Sequence, residues 1–549
     1  MIFNVRQAVT VTALFVTLPS MTALAEKAEE VTVNAGEVIG VIPAIHGVNS
    51  GPLLNDHTDE PPWTPPCANH NSHDFTTQFA EVGIPQSRSH DQGPFDINVI
   101  WKPWPEFKME DLEDPSNFDW EISDDFAAAV VEAGGQLYPM VGVSQSSCNS
   151  ATPEQINDLR TPPDPEVYGE IVKRVLMHYT EGWEDGFFYD IEQVAIWTEP
   201  NVHYFWNGTS QDYHDLYVAA HEAIHGHFGD EIACVLHLGR DVFSQGVIDA
   251  FDPATEPIDA VANHYYSTRP ITFINGLLFK EDRATELLNN QGYPGDEIPI
   301  FISEWNRDTW GNSVTVASFA GCALTYFVGL HPDNVSPFTG ESHNVVMGHH
   351  YSSEGNFWDD ETGEDLNMGV LWRVFGERLV AQTPNLLANA GAWFSDEKSG
   401  TDFCVLPGRS EDRGLIHVLI SDYTNTDEEP LPAHPGEDYP LKVTVTDLPW
   451  GTEAFTWERW RHDTDNQLRL ADFGSAEGLT EWNYNGTGTR STMELFVLNA
   501  VEAPGPEDEP EPAPESCSCS SSPSGMAPLG AILVLVGVLV RRRRGTSLR

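Results

Sequence analysis

The chain has 549 residues, too many for one ordinary domain and enough for a barrel plus a smaller module. Apolar residues make up 40% and aromatics 11%, which supplies a large core and excludes a globally disordered chain. Lys and Arg number 28 against 84 Asp and Glu; the net charge of −56 repels nucleic acid and anionic membranes and reads as a solubilising coat.

In chain order, Arg6 precedes an apolar stretch from Ala8 to Leu18, and Ala23-Leu24-Ala25 fits a small-residue cleavage site. Residues 1–25 are therefore expected to be a signal peptide, with export and a mature chain starting near Glu26. Residues 26–40 form a strand region available to a later β-sandwich. From 41 to 386, short β-like runs alternate with helical patterns. The candidate strands are Val41–Gly47, Pro85–His90, Leu137–Val143, Val194–Trp197, Ile232–Leu238, Ala260–Tyr265, Ile298–Ser303 and Val335–Phe338. Between them lie helices over Ser123 to Ala133, over Asp212 to Phe228 with an apolar stripe at helical spacing, and over Thr315 to Leu330, which is apolar nearly all round and so expected to be buried. This alternation predicts an α/β fold of the (β/α)8 TIM-barrel type. The other arrangement is an open doubly wound sheet; no Gly-x-Gly-x-x-Gly follows any strand, so a dinucleotide cofactor is not expected.

From 387 to 501 the pattern changes to alternating runs, Phe403–Leu406, Leu415–Ser421, Leu441–Val445, Ala454–Trp460 and Met493–Asn499, which read as an accessory antiparallel β-sandwich. Residues 502–525 are a linker rich in proline, acid and serine, containing Cys517 and Cys519. Residues 526–549 hold an apolar run, Met526 to Val540, and then Arg541 to Arg544. As a helix that run is roughly 22 Å long, short of the roughly 30 Å of a hydrocarbon core, so it spans only marginally, with the arginines cytoplasmic. The Cys motif, short apolar stretch and Arg cluster together resemble the myxobacterial C-terminal sorting tag. The resemblance implies processing near Cys517 or Cys519 and a protein at the cell surface or released. Of the other cysteines, Cys67, Cys148, Cys234, Cys322 and Cys404 are too widely spaced for a zinc ribbon or a Cys-x-x-Cys site. Cys67 and Cys148, both in expected loops, are candidates to pair. Cys322, in an apolar helix, is expected to be a buried small hydrophobe.

Two acids stand where barrel enzymes place their chemistry, at the C-terminal ends of strands. Glu199 follows the fourth expected strand and Glu304 the seventh, which face each other across the mouth. Cleavage of a glycosidic bond needs such a pair, one to protonate the leaving oxygen and one to attack the anomeric carbon or activate water; retention of configuration needs a gap of about 5–5.5 Å. The segment Trp197-Thr198-Glu199-Pro200-Asn201, followed by Phe205-Trp206, resembles the acid/base segment of glycoside hydrolase family 39, a clan-A family of β-xylosidases and α-L-iduronidases. Ile302-Ser303-Glu304-Trp305-Asn306 resembles its nucleophile segment; Arg88-Ser89-His90 and Asn263-His264-Tyr265-Tyr266 match in kind and order. The resemblance spans roughly residues 40 to 500. It implies a retaining glycosidase working by double displacement without cofactor or metal, β-xylosidase-like in first expectation. Glu199 would be the acid and then the base, and Glu304 the nucleophile. His264 and Tyr266 would orient Glu304 or bind sugar hydroxyls, Arg88 would support the ionised nucleophile, His90 would bind substrate, and Phe205, Trp305 and Trp310 would shape the sugar-binding walls. Thr198 departs from the family pattern, which has Asn there to bind the sugar 2-hydroxyl; a threonine offers one donor where an amide offers two. That departure leaves room for a carbohydrate-binding pseudoenzyme.

A competing motif is His221-Glu222-Ala223-Ile224-His225, the zinc-peptidase helix signature, in which the histidines bind metal and Glu222 is the base. Its metzincin extension fails, with Phe228 at the glycine position and Glu231 at the third histidine. The helix also follows the Glu199 strand and belongs on the outside of a barrel.

Overall fold

The computed structural model describes residues 29–54, 73–90, 93–143, 162, 164–203, 205–239, 241–308, 313–353, 356–390, 393–396, 401–424, 436–463 and 467–501. The expected signal peptide, the linker, the apolar tail, Cys67, Cys148 and Trp310 lie outside the described residues. Among the described residues no helix is long and apolar enough to cross a membrane.

Eight parallel strands form the barrel: β1 (His46–Asn49), β2 (Gln86–Arg88), β3 (Gln136–Tyr138, resuming as Met140–Val141), β4 (Gln193–Ile196), β5 (Ala233–His237), β6 (Ala260–Ser267), β7 (Ile300–Arg307) and β8 (Val345–His350). Each pairs with its sequence neighbours, and β8 pairs with β1. The ring closes through β3. Its first half pairs with β2 and its second with β4. Pro139 separates the halves because it has no N–H for the ladder, while its carbonyl still accepts from Ala195 N at 2.9 Å. Tyr138, Met140, Ala195, Val235, Ala260, Ala262 and Phe301, drawn from successive strands, pack as one cluster filling the barrel interior. Helices wrap the outside. The helix Ser210–Phe228 starts at a capping box made by Thr209 and Asp212.

Two expected strands are corrected. Val335–Phe338 is a turn region rather than the eighth strand: Pro337 interrupts any ladder, Gly340 has φ 76°, and Val335 is 57% exposed. The eighth strand is Val345–His350. The expected first strand Val41–Gly47 straddles two elements, because a long strand Glu29–Val41 ends there and β1 begins only at His46, beyond Pro43.

Glu29–Val41 belongs to the second layer, a ten-stranded sheet with Asn385–Ala390, Trp393–Asp396, Thr401–Arg409, Leu415–Thr424, Asp438–Thr446, Phe455–His462, Arg469–Ala476, Trp482–Thr489 and Thr492–Ala500. Its pairs are antiparallel except that of Glu29–Val41 with Asp438–Thr446. The ends of the path return to each other. Trp457 and Trp482, from strands near opposite ends, lie 5.5 Å apart, and Arg459 Nη2 donates to Thr487 O at 2.6 Å. The sheet thus folds over a second core that includes Val33, Leu387, Val405, Val418, Val443 and Phe496.

The helix Val314–Leu330 lies between barrel and sandwich, against β7, β8 and the strands Thr401–Arg409, Leu415–Thr424 and Thr492–Ala500. Every residue in it except Thr315 is buried, which is why it is apolar all round. At Gly321 a Cβ would come within 2.2 Å of Ser421 Oγ and 3.1 Å of its Cβ, so any side chain there would force Ser421 to move. Cys322 is not a lone buried thiol, as expected, but is disulfide-bonded to Cys404, across the seam. Its partner lies 82 residues away, in the other layer, and no local pattern announces it. Beside the bridge, Arg269 Nη2 pairs with Asp402 Oδ1 at 3.1 Å, with the Asp402 side chain fully buried.

Candidate active site

The site forms at the C-terminal ends of the barrel strands. After β4 the chain turns sharply: Trp197 has φ 67° and Glu199 φ 39°, both in the left-handed region. For a bulky residue such as Trp this conformation is strained and persists only when the surroundings fix it. Here they do. The Trp197 indole is fully buried, packs on Trp206 at 5.3 Å and donates Nε1–H to Phe205 O at 2.8 Å. The turn delivers Glu199 to the barrel mouth with its side chain 24% exposed.

Glu304, on β7, is buried. Four donors converge on its carboxylate. Arg88 Nη1 and His90 Nε2 approach Oε1 at 3.1 and 3.0 Å; Tyr266 OH donates to Oε2 at 2.9 Å and His264 Nδ1 lies 3.0 Å from it. Arg88 and His90, like His264 and Tyr266, are two apart in extended chain and so point the same way. A register shift between Asn263 and His264 sets His264 level with Glu304. His264 Nδ1 also lies 2.9 Å from Glu199 Oε1, so one imidazole nitrogen bridges both acids. The facing carboxylate oxygens of Glu199 and Glu304 are within 4.8 Å of each other.

Burial alone would raise the Glu304 pKa, but His264 and His90 beside it outweigh burial and hold the carboxyl well below its usual range. Burial would likewise lower the His264 pKa, yet Glu304 and Glu199 together raise it above the ordinary value. Glu304 is thus an anion and His264 favours the imidazolium. His90 is lowered, burial outweighing its attraction to Glu304. Glu199, His264 and Glu304 have the donor types of a metal site. The Arg88 guanidinium already stands against Glu304, however, and an ion bound through His264 Nδ1 would displace its contacts with both acids.

Of the residues expected at the site, Glu199, Glu304, Arg88, His90, His264, Tyr266 and Thr198 come together. Thr198 is fully buried, and its hydroxyl accepts from Arg88 Nη2 at 3.0 Å. Phe205 is half-buried with its ring 6.0 Å from that of His90. Trp305 is a correction: as the residue after Glu304 in a strand it points to the opposite face. It is fully buried among Phe273, Phe327, His350 and Trp372 and forms no sugar-binding wall.

Sequence reasoning missed three residues. Asn49, at the end of β1, accepts from Arg88 Nη1 at 2.9 Å and donates to Ser303 O at 2.9 Å. Tyr351, just after β8, has its ring 6.3 Å from Tyr266 and 6.4 Å from His90. His237, at the end of β5, has its ring 4.3 Å from His264. Each stands at or just past the C-terminal end of a barrel strand, the position that signals function; β1 and β8 were the two misplaced strands.

His221 and His225 lie elsewhere. Both point Nε2 at Asp259, 3.2 and 3.0 Å away, while the exposed Glu222 lines a separate cleft with Glu166, His214 and Glu256.

No family model and no curated protein matches the chain. Solved structures do. A glucosidase from Croceicoccus marinus superposes with a TM-score of 0.65 at 18% identity, over 87% of this chain and all of that one. A glycoside hydrolase family 39 enzyme from Xanthomonas axonopodis pv. citri gives 0.61 at 12%, over 88% and 100%. A monomeric β-xylosidase from Caulobacter crescentus CB15 gives 0.58 at 12%, over 86% and 100%. At these identities the likeness establishes the fold, a TIM barrel with an accessory β-sandwich.

Proposed function

We propose that the chain is a retaining glycoside hydrolase of family-39 type, with Glu304 as nucleophile and Glu199 as acid/base. The observation that carries this is the pair itself: two carboxylates at the barrel mouth with facing oxygens within 4.8 Å, which favours the close-set pair of a retaining enzyme over the wider gap that holds a water. The pair is unequal, which supports this division of roles. Glu304 is buried, ionised and fixed by four donors, as a nucleophile must be. Glu199 is the more exposed of the two, as a group that exchanges protons with a leaving oxygen and with water must be.

In the first step a Glu304 oxygen bonds to the anomeric carbon as the bond to the leaving oxygen breaks and Glu199 gives that oxygen its proton. In the second, Glu199 takes a proton from water, the water oxygen bonds to the anomeric carbon, and the Glu304 ester is released. Arg88, His90, His264 and Tyr266 hold Glu304 in place in both steps. The substrate class proposed is an oligosaccharide or polysaccharide fragment, β-xylosidase-like first, in keeping with the β-xylosidase among the structural neighbours. The proposed location is outside the cell or on its surface, following the apparent leader and tail of the sequence. A panel of aryl glycosides on the purified chain tests the activity, with Glu304→Gln as control. Turnover lost in that variant supports the reading. Sugar binding without turnover would indicate a pseudoenzyme, and neither binding nor turnover would end the proposal.

A further inference from the structure

We propose that His221, His225 and Asp259 form a binding site for a zinc-class divalent metal ion, at the end of the barrel opposite the active site. The two histidines are four apart on the helix Ser210–Phe228 and therefore share one face. Their rings stack at 3.8 Å with 21° between planes, both presenting Nε2 to the same carboxylate. His221 Nε2 is 3.2 Å from Asp259 Oδ1 and His225 Nε2 is 3.0 Å from Oδ2. All three donors lie within 4.8 Å of one another.

A tetrahedral ion with bonds of about 2.0–2.1 Å has donor–donor edges of about 3.3 Å. The two His–Asp spacings, 3.2 and 3.0 Å, are close to that edge and the imidazole–imidazole spacing is at most 4.8 Å, so an ion is taken up by small movements of the two rings and the carboxylate. Two imidazoles and a carboxylate suit zinc and its neighbours rather than calcium or magnesium. Outer contacts already orient two of the ligands. Cys234 N–H donates to Asp259 Oδ2 at 2.8 Å, and Asp230 Oδ1 lies 3.4 Å from His225 Nδ1, where a ligating histidine has its second partner. His225 and Asp259 are 17% and 18% exposed, which leaves an entry for the ion and a fourth position for water. The net charge of −56 draws cations to the surface.

Asp259 directly precedes β6, and His264 stands five residues further along the same strand, about 16 Å away in extended chain. The metal is thus remote from Glu199 and Glu304. It would tie the helix after β4 to the starts of β5 and β6. This role differs from the peptidase reading of the same motif, since Glu222 lines another cleft.

The test is zinc content of the full chain after metal-free dialysis and reloading, with cobalt as a visible probe. One equivalent of zinc, tetrahedral cobalt bands, and a thermal midpoint raised by at least about 3 °C at zinc near 100 times Kd are expected. His225→Gln and Asp259→Asn should each lose the equivalent, while Glu304→Gln keeps it. X-ray absorption of zinc on the unmutated chain should report two imidazole ligands, which needs no variant to fold. No bound zinc, one imidazole, or loss in Glu304→Gln alone would overturn the site and leave His221, Asp259 and His225 a hydrogen-bonded staple. None of these outcomes bears on glycoside turnover.

Discussion

At the residue scale, the site is organised around one fixed anion, Glu304, and one bridging imidazole, His264. Removing the nucleophile in Glu304→Gln should lower kcat by at least about 10³-fold, measured on an aryl glycoside. Glu199→Ala should behave differently. Loss of an acid/base group costs about 10²–10⁴-fold, but the first step needs that proton only when the leaving group is poor. A dinitrophenyl glycoside should therefore still form the glycosyl-enzyme, and azide, which needs no base to attack, should restore turnover. Equal losses on good and poor leaving groups, with no azide effect, would remove Glu199 from the acid/base role. His90→Gln addresses the electrostatics. His90 helps hold the Glu304 carboxyl down, so its loss should let that pKa rise and move the acid limb of kcat/KM to higher pH. An unmoved limb would mean that Arg88 and His264 alone set the nucleophile's charge. Most of this constellation was legible in sequence because Glu199, just after β4, and Glu304, on β7, each sit within a short motif. What escaped was contact between strands: nothing local to Asn49, His237 or Tyr351 shows that a barrel will set them beside Arg88, His264 and Tyr266. Trp305 was misjudged for a simpler reason, since side chains alternate along a strand and the neighbour of a site residue faces the packing helices.

At the element scale, the seam between barrel and sandwich depends on the helix Val314–Leu330 and its bridge. The disulfide closes a loop with a sequence separation of 82 residues, and by the chain-entropy model that is worth about 4.5 kcal/mol. The double variant Cys322→Ser with Cys404→Ser should lower stability by an amount of that order, read as a fall in the denaturant midpoint. No change in the midpoint would mean that burial and the Arg269–Asp402 pair carry the seam without the bridge. The helix itself was legible, as apolar residues at every position predict burial on all sides. Its partner was not, because Cys404 gives no periodic signal and the two layers meet only in three dimensions. The eighth strand was lost for a related reason. Val335–Phe338 has the apolar character of a strand but holds Pro337, whereas Val345–His350 ends in two histidines that look polar and are buried. Glu29–Val41 shows the reverse: alternation along it marks a sheet, yet its neighbours, Asn385–Ala390 and Asp438–Thr446, lie at the other end of the chain.

At the scale of the whole molecule, two effects predict opposite responses to acid. The net charge of −56 implies self-repulsion that protonation would relieve, so acid should stabilise. The interior implies the contrary. Burial lowers His46 to about 4, His417 to about 4 and His350 to about 3, and holds His237 and His349 well below the ordinary value. Unfolded, each would titrate near 6.5, so between pH 6.5 and about 4 the unfolded chain binds protons that the native chain refuses. Stability is then full above pH 6.5 and lost as pH falls. Asp422 works the other way. Burial raises it to about 6 despite Arg490, so the native state takes up a proton there as pH falls. His264 belongs with it: its raised pKa gives stability that is complete below pH 6.5 and lost as pH rises through the folded value. Taking only the groups with stated values, three histidines against one aspartate leave two protons, or about 3 kcal/mol per pH unit. Ordinary carboxylates titrate near 4, so the repulsion is hardly relieved above pH 5. The interior should therefore win in that range. Calorimetry at constant ionic strength should show the thermal midpoint nearly level from pH 7.5 to 6.5 and falling steeply towards 5. Salt at pH 7.5 should raise it, because screening acts on the surface charge and leaves the buried histidines untouched. A midpoint that climbs on acidification would mean that surface repulsion outweighs the buried imidazoles, and that these histidines find protons in the native state.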